Sequence, residues 1–197
     1  MPDHAVVPRY TIEPITPSAF DAFSIYLDDH LADNGQPGGL YFQPLPRDES
    51  VFAPDRAAAF RGALDIAVGA PAWRRLWGAI GPDGALLGHI DLRAHAERPA
   101  AHRCLLGMGV HRQARRLGLG STLIAHAEAW ALAHARLDWI DLQVLSVNQP
   151  AIRLYERAGF AQTGEIADMF RIDGRSFAFT NMSKRIGQRV CSELDPL

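Results

Sequence analysis

The run from Cys104 to Ala133 reads CLLGMGV, then HRQARRLGLG, then STLIAHAEAWALA. The first piece is an apolar segment of buried-strand length, and the last is an alanine-rich helix. Between them Arg115-Arg116-Leu117-Gly118-Leu119-Gly120 leads into Ser121 and Thr122. A strand therefore feeds a glycine-containing turn that opens a helix. Such a turn aims several backbone N–H groups at one point in front of the positive helix end, so an anion is its natural occupant. Gly118 and Gly120 leave room for a phosphate beside the backbone. A P-loop would need a lysine before Ser121, and a dinucleotide fingerprint would need a glycine where Leu123 stands. An R-x-x-G-x-G loop for a pyrophosphate and an ordinary glycine-rich turn both remain open on this stretch alone.

The wider chain narrows the choice. Its 197 residues imply one domain with ample core, about 9–186, with tails at 1–8 and 187–197. A net charge of -2 gives no reason to expect nucleic acid or an anionic membrane as partner. Cys104 and Cys191 are too few for a disulfide framework, and the eight histidines show no metal-ligand spacing, so no metal is expected. The start, MPDHAVVPRY, lacks a basic segment followed by an apolar one, and no apolar run is long enough to span a membrane. A cytoplasmic protein is the expectation.

In order, Arg9–Pro14 reads as a strand. Thr16 reads as a cap for a helix starting at Pro17, with Phe20, Phe23, Leu27 and Leu31 on its buried face. Leu40–Ala53 is an irregular aromatic loop, suited either to covering a core edge or to walling a substrate pocket. A second helix is expected over 54–68. Strands Leu76–Ile80 and Ala85–Ala94 flank the turn Gly81-Pro82-Asp83-Gly84. After the alanine-rich helix come a strand, Trp139–Val147, and a helix started by Asn148-Gln149-Pro150 and closed by Gly159. Asp173-Gly174 then joins Ile166–Ile172 to Arg175–Lys184 as a hairpin. The plan is a mixed α+β fold with one right-handed strand–helix–strand crossover. A ligand belongs at the C-terminal ends of its two parallel strands, where Gly118–Gly120 and Asn148 both fall.

Two blocks resemble the GNAT superfamily of acetyl-CoA-dependent N-acetyltransferases. One is Val110 followed by Arg115-Arg116-Leu117-Gly118-Leu119-Gly120. The other, more specific, is Asn148-Gln149-Pro150-Ala151-Ile152-Arg153-Leu154-Tyr155-Glu156-Arg157-Ala158-Gly159-Phe160. The resemblance implies a mostly antiparallel sheet of six to seven strands with a parallel pair at the cofactor cleft, flanked by about four helices. It also implies transfer of an acetyl group from acetyl-CoA to a primary amine by direct attack in a ternary complex. Backbone groups of Met108 and Val110 would hold pantetheine and the thioester carbonyl. Amides of Arg115, Arg116, Leu117, Gly118, Leu119, Gly120 and Ser121 would hold the pyrophosphate, with a guanidinium of Arg115 or Arg116 adding charge. Asn148 and Ala151 would line the pantetheine channel, unless Asn148 is simply a helix cap. Tyr155 would protonate the departing thiolate, unless its ring only packs.

The general base is less clear. The central strand carries no carboxylate, whereas His89 and Asp91 share one face of the preceding strand and could reach the cleft. Both also suit plain sheet positions. The acceptor is expected to be a small-molecule amine. A protein N-terminus or lysine, and a non-catalytic CoA-binding module, are the alternatives. A homodimer through the hairpin's exposed edge is expected as well.

Overall fold

A computed structural model of the chain describes residues 10–187; Arg9, the tail at 1–8 and residues 188–197, with Cys191, lie outside the described residues. The elements run β1 (Thr11–Pro14), α1 (Phe20–Leu31), α2 (Pro54–Ala63), β2 (Arg74–Ile80), β3 (Leu86–Ala94), β4 (Arg103–Val110), α3 (Leu119–His134), β5 (Trp139–Leu145), α4 (Gln149–Arg157), β6 (Ala161–Ile172) and β7 (Arg175–Arg185). The seven strands form one sheet in the order β1-β2-β3-β4-β5-β7-β6. All neighbours are antiparallel except β4 and β5, the pair joined by α3. This is the mixed α+β plan expected from the sequence.

Strand alternation sorts the two faces. Ile90, Leu92, Cys104, Leu106, Ile140, Leu142 and Val144 point to the rear, against Leu123, Ile124, Ala127 and Ala131 of α3 and Ile152 and Tyr155 of α4. The alanines of α3 bring that helix close to the sheet. Phe20, Phe23 and Tyr26 of α1 cover the front of the β1–β3 side together with Leu76 and Phe52. Farther along, the front carries His89, Asp91, Arg93, Arg103 and Asp141, polar groups where a purely structural sheet would place aliphatic ones.

Several local expectations change. The helix expected over 54–68 stops at Ala63, because the Arg75 guanidinium takes the carbonyls of Leu64 (2.9 Å) and Ile66 (3.0 Å) into a turn. Thr16 does not cap α1; its hydroxyl pairs with Ser18 at 2.8 Å, and a 3₁₀ turn at Pro17–Ala19 precedes the helix. The face of α1 is also rotated from the expected one, burying Tyr26 and His30 and leaving Leu27 half-buried.

Asp141 closes the lower end of the parallel pair. It accepts from Arg103 Nε at 2.7 Å, from Ser183 Oγ at 2.6 Å, and lies 2.9 Å from His95 Nε2. Residues of β4 and β7, and the residue just past β3, are thus tied through one carboxylate of β5. Burial works to raise its pKa, but the donors from Arg103, Ser183 and His95 outweigh it and hold the group below its ordinary value. Its stabilisation is therefore present above about pH 4, the unfolded carboxylate value, and is lost as pH falls through the lower folded value. Asp141→Asn is expected to cost about 3 kcal/mol in urea unfolding at neutral pH and to flatten the acid limb of the stability curve. A loss under about 0.5 kcal/mol, typical of exposed pairs, would show that this tie does not hold the strands.

Candidate active site

β4 and β5 pair over only three positions, Arg103↔Trp139, Cys104↔Ile140 and Leu105↔Asp141, and then diverge. β5 continues against β7 as far as Leu145↔Phe179, and β4 against β3 as far as Val110↔Gly88. A wedge-shaped cleft opens between them. The His111 amide donates to Leu87 of β3 at 2.9 Å, so by alternation Val110 and Met108 turn their backbone groups to the other side, into the cleft. An extended ligand arm finds there the unpaired edge of a strand.

Below the cleft stands the N-terminus of α3. Gly118 is its cap residue, in the left-handed region at φ 80°, and no side chain caps the helix. The first bond of the helix runs from the Thr122 amide to the Gly118 carbonyl at 3.3 Å, so the Leu119, Gly120 and Ser121 amides precede the helical ladder. The glycines serve different ends. A Cβ on Gly118 would meet nothing within 4 Å, whereas one on Gly120 would lie 2.8 Å from Leu154 Cδ2. The space at Gly120 that the sequence reading gave to a phosphate is used by α4. Arg115 is held by other groups: its Nε donates to the Val110 carbonyl (3.1 Å) and its Nη2 to Asp33 (3.0 Å). Arg116 is exposed, as are Leu117 and Ser121, while Leu119 is core.

α4 closes the rear. Asn148 accepts from the Ala151 amide at 3.3 Å, so it caps the helix. Tyr155 is buried, with its ring edge-on to Phe160 at 5.9 Å, and its hydroxyl has no hydrogen-bond partner among the described residues. Burial pushes the phenol well above its ordinary pKa, so it stays protonated.

On the front face Gly107 and Gly109 vacate β4, and neighbours fill the space. A Cβ at Gly109 would sit 2.6 Å from His30 Nε2 and 2.7 Å from His89 Cε1, and one at Gly107 would collide with Asp91. His89 Nδ1 lies 3.2 Å from the Tyr26 hydroxyl, which donates a long bond (3.4 Å) to the Gly109 carbonyl. Nδ1 of His30, a residue 6% exposed, has no partner among the described residues. Asp91 is engaged by Arg74 at 3.2 Å and Arg93 at 3.3 Å.

The loop between α1 and α2 folds over this front. Buried Asn34 organises it: its Oδ1 accepts from the Phe42 and Gln43 amides, and its Nδ2 faces the Gln43 and Leu45 carbonyls and Ser50 Oγ. Tyr41 donates to Asp173 at 2.6 Å, tying the loop to the turn of the β6–β7 hairpin. In that turn Asp173 (φ 49°) and Gly174 (φ 72°) are both left-handed, as a two-residue hairpin turn requires.

The model of the GNAT acetyltransferase family matches residues 43–160. The chain belongs to this family. It is 34% identical over 144 residues to the mycothiol acetyltransferase of Clavibacter michiganensis subsp. michiganensis (strain NCPPB 382), an alignment covering 66% of this chain but 45% of that protein. Solved structures share the GNAT fold. A GNAT acetyltransferase from Streptococcus pneumoniae superposes with TM-score 0.76 at 21% identity, over 91% of this chain and 100% of that one. The spermidine N-acetyltransferase of Vibrio cholerae, solved with CoA and spermine, gives 0.67 at 16% identity, over 90% and 95%.

Met108 and Val110 thus border the opening between β4 and β5 with the start of α3 at Gly118–Ser121, Tyr155 of α4 lies in the rear core, and His89 and Asp91 stand on the front of β3. Tyr26, His30, Arg74 and Arg93 stand with those two and were not singled out in the sequence. Only the spacing of Tyr26 and His30 with Phe23 on one helix face signalled the first two. Among the described residues no group of three or more His, Cys, Asp or Glu is arranged for a metal, and no helix is long and apolar enough to cross a membrane.

Burial lowers His30 and His89 to about 3, with each other's charge adding for His30 and that of Arg74 for His89. Both imidazoles are neutral in the fold at pH 7. Their folded pKa lies below the unfolded value of about 6.5, so stability is full above that pH and falls as pH drops toward 3. The loss approaches about 1.4 kcal/mol per pH unit for each histidine. His30→Phe and His89→Phe are each expected to flatten stability curves measured by denaturant between those limits; unchanged slopes in both variants would contradict the burial of neutral rings.

Proposed function

We propose that the chain is an N-acetyltransferase that moves the acetyl group of acetyl-CoA to a primary amine of a small molecule, by direct attack in a ternary complex. The observation that carries this reading is the cleft between β4 and β5 with the uncapped start of α3 beneath it. The residues fit the co-substrate: strand-edge groups of Met108 and Val110 suit a pantetheine arm, and the Leu119–Ser121 amides suit a pyrophosphate. Arg116 is the basic side chain left to add charge there, since Arg115 is tied to Asp33.

Acetyl-CoA supplies the thioester carbonyl and the thiol leaving group. The Val110 amide, turned into the cleft, is placed to stabilise the charge that develops on that carbonyl oxygen. Tyr155 holds the proton needed by the departing sulfur. On the amine side His89, kept neutral by burial and set against the Tyr26 hydroxyl, is a hydrogen-bond partner rather than a proton acceptor, and Asp91 is engaged by two arginines, so water is left to carry the proton away from the amine.

The acceptor side supports a small molecule over a protein segment. The Tyr41–Asp173 tie joins the α1–α2 loop to the hairpin across the front, an arrangement that favours a small acceptor over an extended peptide. One relative is named for mycothiol and another for spermidine. These differ, so neither acceptor is carried over. A cytoplasmic homodimer completes the proposal. The edge strand β6 offers Ile166 and Met169, 45% and 46% exposed, and a monomer mass by light scattering would remove the dimer.

Gly118→Val forces a side chain into the left-handed region but into open space. It is expected to fold and to lose acetyl-CoA affinity in calorimetry; wild-type affinity in the folded variant would refute the phosphate site. Tyr155→Phe deletes one hydroxyl and is expected to lower turnover by about 10²-fold with acetyl-CoA affinity kept. Turnover within about threefold of wild type, with chemistry rate-limiting, would remove the general-acid role.

A further inference from the structure

The front face carries an unbalanced charge beside the cleft. Arg74 Nε and Arg93 Nη1 both lie against the same oxygen of Asp91, at 3.2 Å and 3.3 Å. Two guanidiniums thus share one carboxylate, which leaves a surplus of one positive charge. The next carboxylate along the face, Asp141, is already matched by Arg103. Arg74 lies largely buried against the Phe60 ring at 3.8 Å, and burial together with the opposing charges of Arg93 and Arg56 depresses its pKa despite Asp91.

Arg93 is the outward member of this trio. Its side chain is 33% exposed, against 6% for Asp91 and 20% for Arg74. One nitrogen is anchored on Asp91; its other N–H groups have no acceptor among the described residues. The guanidinium lies over Gly107, where a Cβ would come within 2.9 Å of Nη1. Gly107 lies just past the last β4–β5 pair, Leu105↔Asp141, near the closed end of the cleft. Three residues of strand, roughly 10 Å, separate it from Val110. A half-buried fork of donors, fixed at one end and carrying uncompensated charge, is built to receive an oxyanion.

We infer that the acceptor is an amine that also carries an oxyanion, a carboxylate or a phosphate, and that Arg93 binds that group while the amine lies toward Val110. This rests on the acetyltransferase reading and sharpens it. Polyamines, whose second charge is positive, are disfavoured by the same surplus.

The test separates the two claims. Acetyl-CoA affinity, by calorimetry, stands or falls with the transferase reading alone. For the anion site, the Arg93 Nε–H resonance, assigned by its loss in Arg93→Gln, is followed while the full chain saturated with CoA is titrated with glutarate, inorganic phosphate or spermidine. A saturable shift with glutarate or phosphate, and none with spermidine, is expected; which anion saturates it identifies the source. Arg93→Lys keeps the charge without the fork and should bind the same anion at least tenfold more weakly. The paired assay compares 4-aminobutyrate with butylamine and putrescine, and glucosamine 6-phosphate with glucosamine. The anionic member of at least one set should show at least tenfold higher kcat/KM, a preference lost in Arg93→Gln. Linear, non-saturating shifts with both anions, or saturation by spermidine, would overturn the inference, as would turnover favouring neutral or cationic amines.

Discussion

The parting of β4 from β5 after three residue pairs is the constraint on which the rest depends. Two parallel strands that separate leave backbone donors and acceptors without partners, a cost the fold meets by keeping the closed end tight and the open end wet. Asp141 supplies the tightness, since its donors come from three directions in the sheet. α3 crosses behind the pair and brings its first amides to the open end, so one crossover connection sets both the slot and the row of donors at its end.

The front face follows from what β4 lacks. Glycine at 107 and 109 removes two side chains from the central strand, and Asp91, Arg93, His89 and His30 move over it. Functional groups of this face belong to neighbouring elements that lean across a bare strand. A side chain on Gly107 would displace Asp91 and Arg93, and one on Gly109 would displace His30 and His89, so the glycines act through space they leave rather than through turns they permit.

The rear of the site was legible because its signals are local. Gly118 at a strand–helix junction, Asn148 before Pro150 and Gly159 after Ala158 each declare a backbone geometry within a few residues. The front was not, because it is assembled from α1, β2, β3 and β4. Arg74 and Arg93 lie 19 residues apart in sequence and meet only through antiparallel register at Arg74↔Arg93. Counting apolar spacing along α1 selected Leu27 and passed over Tyr26 and His30, since buried polar rings carry no weight in such a pattern. The end of α2 was missed for a similar reason: the group that ends it, Arg75, arrives from β2. Gly120 was legible as a tight place, but its neighbour Leu154 comes from another helix.

Asn34 has a consequence for the chemical ageing of the chain. It precedes Gly35, and an asparagine before glycine is where the next backbone nitrogen most easily attacks the side-chain amide, releasing ammonia and forming a cyclic imide that water then opens to a carboxylate. In the fold that nitrogen donates its proton to the Leu40 carbonyl at 3.2 Å, and both ends of the amide are engaged by the loop. A carboxylate there would face the Gln43 and Leu45 carbonyls with lone pairs against lone pairs, and the loop would lose its organising donor. The fold thus protects the residue that shapes the α1–α2 loop, and mass spectrometry should find this conversion slower in native buffer than in denaturant.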